Sequence, residues 1–396
     1  MTKSLDATPE RKRSVWPDVL RGMAIFGVLT THVIQRSDLL TIELTSGNSS
    51  MSKELSSYLG LGRYGVEVFF FLSGWLLMLL YGRDTTRKLS FSKYFLRRVA
   101  RIWPLWMIFL VYSIIVDHFL DKGNWHYSRI TPIGGSELVH STPVIILLTA
   151  TFTLFISQSL WINVMPGGWS ILAEVGHYLL FPFVKSLTNR KLIRFLFINF
   201  LFFGVLNILR EKYQIEPVIL REVINSLYRL NLMSTLLYFI LGMLTQSLYL
   251  EYKNGRFENM NLQMNKMAFV EIGFVLILIP LTPLNFGDNL QALGYLMLTL
   301  LLSFAALNLR FIKNVLVKVG KYSYFIYFCH FQALNLLQNF LHRRDGSLRF
   351  QIPEFLLNQI SIFLILFVFV LGISYTLATI SYRLIEKPII NAAHRF

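Results

Sequence analysis

Long apolar runs alternate with short polar clusters along this chain. Ten of the runs have the length of a membrane-crossing helix: roughly 17–36, 60–81, 98–119, 168–187, 192–209, 232–250, 267–283, 290–309, 320–341 and 355–384. A helix needs about 20 mostly apolar residues to cross about 30 Å of hydrocarbon, which sets the criterion. An eleventh run, PVIILLTATFTLFI at 143–156, holds only 14 residues and suits a re-entrant or interfacial segment better than a crossing. The pattern predicts an all-α polytopic integral membrane protein, one transmembrane domain over 1–396 with no appended soluble domain.

Charge decides the topology. If 143–156 does not cross, 26 of the 38 lysines and arginines fall on the side of the N-terminus and 12 on the other; if it crosses, they divide 19 to 19. Cytoplasmic loops carry the excess of Lys and Arg. The asymmetric solution therefore predicts ten spans in the cell (inner or plasma) membrane with both termini cytoplasmic. The largest outer segment is then 120–167.

Composition agrees with this reading. The chain is 54% apolar, only 15% charged, and has a mean hydropathy of +0.51, whereas soluble domains carry about a quarter charged residues. The net charge of +16 would suggest nucleic acid in a soluble domain. Here the cations sit in clusters between apolar runs, as topology signals and contacts for membrane lipids do. Cys329 is the only cysteine, so no intramolecular disulfide forms.

The first run, PDVLRGMAIFGVLTTHVIQR, holds two ionisable groups, Arg21 and His32. Eleven residues at 100° each come within about 20° of three full turns, so both lie on one helix face about 16 Å apart. Arg11, Lys12 and Arg13 precede the run, which puts Arg21 near the inner surface and His32 well into the bilayer. The run lacks an A-x-A-like cleavage site and is expected to be retained. Topology places Glu67, Glu174 and His330 in the middle or outer half of three other spans. Ionisable groups at that depth are costly and functional by default, so the four are expected to meet in one polar cavity. Arg97, Arg98 and Arg101 open the third span from the cytoplasmic side, where their natural partner is an anion.

Several patterns carry no such weight. Gly60, Gly62 and Gly65 match G-x-G-x-x-G, but a membrane span follows them and close helix packing explains them better than a dinucleotide fold. Asn48-Ser49-Ser50 is a lone sequon. There is no H-E-x-x-H, P-loop or Cys/His metal spacing, so no metal is expected.

Six stretches taken together resemble the ordered motifs of the acyltransferase 3 family: Arg21 and His32 as R-x10-H, FFFLSG at 69–74, RRVARIWP at 97–104, WSILAEVGHY at 169–178, GKYSYFIYFCH at 320–330 and SYRLIEKP at 381–388. The match covers essentially the whole chain. It departs from the family at His177, where an aromatic is common, and at Trp75, where phenylalanine is usual. The resemblance implies a membrane acyl-CoA-dependent O-acyltransferase, in the manner of O-antigen and exopolysaccharide O-acetyltransferases, with acetyl-CoA as donor and a glycan or lipid-linked glycan as acceptor.

For that chemistry a neutral imidazole would take the proton of an attacking hydroxyl, with His32 as the base and Glu174 orienting its ring. His177, one helical step from Glu174, is the alternative base or the partner of the glutamate. Arg98 and Arg101 would hold the phosphates of CoA, with Arg21 lining the route to His32. Trp169 would flank the acceptor path and Ser170 would donate to the oxyanion. Glu67, Ser73 and His330 complete the expected cavity, and a covalent acyl-enzyme on His32 or Ser73 stays open. Two rival readings stand beside this one: a transporter of a small anion or glycan, and acyl transfer to a lipid, peptidoglycan or secreted small molecule.

Overall fold

A computed structural model describes residues 14–44, 60–82, 90–115, 147, 150–152, 167–212, 231–253, 287–341 and 359–395. Every regular element among them is helical, as a chain in lipid requires when each backbone polar group must be satisfied within its own segment. The helices are α1 (Trp16–Leu44), a 3-10 turn (Leu61–Tyr64) leading into α2 (Gly65–Tyr81), α3 (Phe91–Ile115), α4 (Gly168–Val184), α5 (Asn189–Lys212), α6 (Asn231–Lys253), α7 (Gly287–Asn308), α8 (Arg310–Lys321), α9 (Ser323–Leu341), α10 (Gln359–Ser381), a π-helical turn (Tyr382–Glu386) and α11 (Lys387–Arg395). Nine of the ten expected runs coincide with a described helix; the tenth, 267–283, lies outside the described residues. Three helical stretches among them are long and apolar enough to cross a membrane on those grounds alone: Leu61–Tyr81, Gln291–Asn308 and Ile360–Ala393.

The helix α1 is the hub, touching α2, α7, α8, α9 and α10. At its start Trp16 meets Trp75 of α2 and Phe304 of α7 at 5.0 and 5.5 Å, and its indole N–H donates to Ser303 Oγ at 3.0 Å. Eleven residues further along α1, Gly27 lies against Gly62 and Tyr295. Both α2 and α7 therefore run antiparallel to α1. Tyr322, just before α9, packs on Tyr375 near the end of α10 and on Tyr382 just beyond it, at 5.5 and 5.4 Å. These two helices are antiparallel as well. Thr235 of α6 meets His177 of α4, and Ser247 meets Asn189 just beyond the end of α4, so α4 and α6 run the same way.

Two helix pairs approach closely enough to need glycine. A Cβ on Gly242 of α6 would lie 1.9 Å from the Phe71 carbonyl oxygen, and one on Gly74 of α2 would lie 1.9 Å from that of Phe239. The α1–α8 crossing repeats this, with Gly320 against the Asp18 carbonyl at 1.8 Å and Gly22 against that of Leu316 at 2.3 Å. Small residues at such crossings let backbones gain dispersion contacts that lipid cannot supply. Gly242→Ala is expected to cost about 1–3 kcal/mol through overpacking. A lowered unfolding temperature of the detergent-solubilised protein would register it.

Two local features differ from the sequence reading. Arg310–Lys321, expected only as an inner charge cluster, forms the amphipathic helix α8: Leu316, Val319 and Gly320 are buried while Arg310 and Lys321 are exposed. The last expected run ends at 384, yet the chain stays helical through Pro388. It follows the π-helical turn, at whose end the Lys387 N–H donates to the Tyr382 carbonyl. Of the short run 143–156 only Leu147 and residues 150–152 are described. The Thr151 N–H and hydroxyl both donate to the Leu147 carbonyl, at 3.0 and 2.8 Å. Phe152 then adopts φ 59° and packs on Trp106 at 5.2 Å.

Candidate active site

One face of α4 presents Ser170, Glu174 and Tyr178 at successive turns, and α2, α3 and α9 supply what they meet. Glu174 accepts a hydrogen bond from Ser73 Oγ of α2 at 3.1 Å and another from the Tyr178 hydroxyl. Tyr178 in turn lies under the Arg98 guanidinium, 5.7 Å from its ring centre, and its carbonyl accepts from the Tyr94 hydroxyl at 2.9 Å. Carboxylate, phenol and guanidinium thus stand in sequence from mid-bundle toward the end where α3 begins. The hydroxyl of Tyr324 is buried within electrostatic reach of Glu174 and Arg101.

The cationic end carries more cations than acids. No carboxylate among the described residues forms an ion pair with Arg97, Arg98 or Arg101, and the Nε atoms of Arg97 and Arg98 are buried without an acceptor. Three guanidiniums within five residues make a positive mouth, with Glu386 of the π-helical turn the carboxylate that the charge of Arg101 reaches. Arg21 is not part of it in charge terms: its Nη1 is paired with Asp18 Oδ1 at 2.7 Å, one turn away on α1.

Toward the other end, Ser170 Oγ lies 2.8 Å from the Tyr327 hydroxyl of α9 and 2.9 Å from the Gly167 carbonyl, which Tyr327 also reaches at 3.2 Å. The two hydroxyl protons are shared among these three oxygens, so Ser170 has no proton left for an oxyanion. Gly167 takes φ 71°, a left-handed conformation at the start of α4, and Tyr327 lies against it. Next along α9 is His330, with its ring 5.8 Å from that of Tyr327 and 5.3 Å from that of His32. Phe331 covers both imidazoles, at 4.5 Å from His32 and 4.1 Å from His330.

His32 and Glu174 therefore belong to one polar tract without touching. The partner of His32 is Gln35, whose Oε1 lies 3.2 Å from Nδ1. That places the proton on Nδ1 and the lone pair on Nε2. The carboxylate expected to orient the ring is engaged with Ser73 and Tyr178 instead, and the ring is oriented from its own helix. Between them run His330, Tyr327 and Ser170, with Ser170 one turn, about 6 Å, from Glu174.

The other expected residues fall around this tract. Glu67 is close enough to Tyr295 and Tyr327 for its charge to reach both hydroxyls. Trp169 is half-buried against the apolar core. His177 turns away from Glu174: it is fully buried, with Nε2 3.2 Å from Thr235 Oγ and its ring between Phe70 and Phe239 at 5.1 and 4.9 Å. It braces α4 against α2 and α6. Among the described residues no group of three or more His, Cys, Asp or Glu could hold a metal ion.

Sequence reasoning missed Gln35, Tyr178 and Tyr327. Helical spacing would have found them, since each lies three or four residues from a residue already singled out: His32, Glu174 and His330.

The model of the acyltransferase 3 family, described as an acyltransferase domain, matches residues 14–379. No curated protein and no solved structure matches the chain.

Proposed function

Because the chain belongs to the acyltransferase 3 family, we propose that it moves an acyl group, acetyl in the simplest case, from cytoplasmic acyl-CoA to a hydroxyl of a cell-surface polysaccharide or its lipid-linked precursor. What supports this reading is the tract of polar side chains that begins at the cations Arg98 and Arg101 and ends at His32. A phosphate-bearing thioester and an alcohol need such a meeting place. The asymmetry of 26 inner to 12 outer cations supports ten spans in the cell membrane with both termini cytoplasmic, so the arginines face the compartment that holds acyl-CoA.

In this mechanism Arg98 and Arg101 bind the donor phosphates, and the acceptor enters from the opposite end past Trp169. With Gln35 holding the Nδ1–H, Nε2 of His32 takes the proton of the acceptor hydroxyl as its oxygen attacks the thioester carbon. The carbon–sulfur bond then breaks, and the imidazolium returns the proton to the departing CoA thiolate. Glu174 acts on His32 only at a distance. Its nearer task is to hold Tyr178 beneath Arg98.

Mass spectrometry of surface glycan from cells with and without the protein tests this directly. The expected result is an acyl mass increment that depends on the protein, together with CoA release from acetyl-CoA by membranes that supply the acceptor. A transporter working through the same tract would leave acetyl-CoA intact, and that outcome would replace the enzymatic reading.

A further inference from the structure

His330 is fully buried, and its Nδ1 lies 3.2 Å from the Ile326 carbonyl one turn back on α9. A carbonyl only accepts, so Nδ1 carries the proton and Nε2 of the neutral ring is a lone-pair acceptor. Nε2 lies across the ring from Nδ1. With Nδ1 turned to its own helix, Nε2 faces away from α9, and among the described residues it meets no hydrogen-bond partner. His32 has the same arrangement on α1, its Nδ1 held by Gln35 and its ring centre 5.3 Å from that of His330. Two imidazoles, each tied to its own helix through Nδ1, leave two acceptor nitrogens near one another under the shared ring of Phe331.

Buried acceptors call for donors, and a single hydroxyl has only one proton to give. We infer that His330 Nε2 accepts a hydrogen bond from a second hydroxyl of the acyl acceptor, next to the hydroxyl that His32 deprotonates, so that the acceptor is a polyol with two neighbouring hydroxyls. His330 undergoes no proton transfer in this role. It fixes which hydroxyl lies against His32, and the inference rests on His32 being the base.

The test uses full-length protein in native membranes carrying His330→Gln, His330→Asn or His330→Leu, with His32→Ala as reference. A glutamine amide can put an acceptor oxygen where Nε2 was, whereas an asparagine amide replaces only Nδ1. CoA release from acetyl-CoA is expected to stay within about threefold of wild type in His330→Gln and to fall about tenfold or more in His330→Asn and His330→Leu, the loss expected for one hydrogen bond to the reacting substrate. The reverse order, with asparagine active and glutamine inactive, would mean that His330 only braces α9 through Ile326. Equal loss in all three variants that still bind CoA, or equal retention, would also overturn the inference. A second readout needs no variant: mass spectrometry of the wild-type product should place the acyl group on a carbon next to one bearing a free hydroxyl. A neighbour that is deoxy or substituted would exclude the polyol. If His32→Ala keeps full CoA release, the reading of the base fails instead.

Discussion

Replacing His32 with alanine is expected to lower acyl transfer by about a hundred- to ten-thousandfold, the range that a positioned general base supplies. The loss should appear in kcat, with the KM for acyl-CoA nearly unchanged, because the arginines lie at the other end of the tract. Alanine in place of His32 removes a ring held by one hydrogen bond that it donates to Gln35 and by contacts with Phe331 and His330. No ion pair is broken, so the fold should survive the substitution. Glycan acylation at the wild-type level in membranes containing well-folded His32→Ala would remove the imidazole from the chemistry.

The second large effect is expected at the opposite end. Arg98→Ala combined with Arg101→Ala should raise the KM for acyl-CoA by at least tenfold, since a hydrogen bond to a charged group contributes about 1.5–3 kcal/mol. Here kcat at saturating donor should change much less. The remaining affinity should also lose much of its dependence on ionic strength, because fewer charged contacts are left to screen. The charge of Arg101 also reaches the partly buried Glu386 carboxylate, so the double variant is compared with Arg98→Ala alone, which leaves that cation in place. An unchanged KM in the double variant would restrict these arginines to setting the topology.

The two substitutions should therefore separate in kinetics as they do in space. Between them stand Tyr178, Glu174, Ser73, Ser170 and Tyr327, none of which pairs with either His32 or an arginine through a carboxylate. Glu174 is the instructive case. From sequence it reads as the partner of His32, because a buried carboxylate and a buried imidazole satisfy each other at low cost. In the structure the same carboxylate is satisfied by the hydroxyls of Ser73 and Tyr178, and His32 finds an amide on its own helix. His177 is a parallel case: the spacing that put it on the face of Glu174 is real, but its ring lies between Phe70 and Phe239.

Much of this protein was legible in the order of its residues. Apolar runs of membrane length become helices because lipid offers a backbone no other partner. R-x10-H with the other five motifs pointed to the family that the match over residues 14–379 establishes. The amphipathic helix α8 was present in the spacing of its four cations and went unread, since a charge cluster and a charged helix face contain the same residues.

Which side chains meet was not in that order. Ser170 and Tyr327 are 157 residues apart, and Ser73 and Glu174 are 101 apart; no local pattern links them. Periodicity fixes the face on which a residue stands, but the rotation of each helix about its own axis is set by packing against its neighbours, here by the crossings at Gly74–Gly242 and Gly22–Gly320. Sequence alone thus determined the helices and the residue types available for acyl transfer. Only the tertiary structure decided that His32 faces His330 rather than Glu174, because a rotation of some tens of degrees about one axis exchanges one partner for the other without altering a single residue.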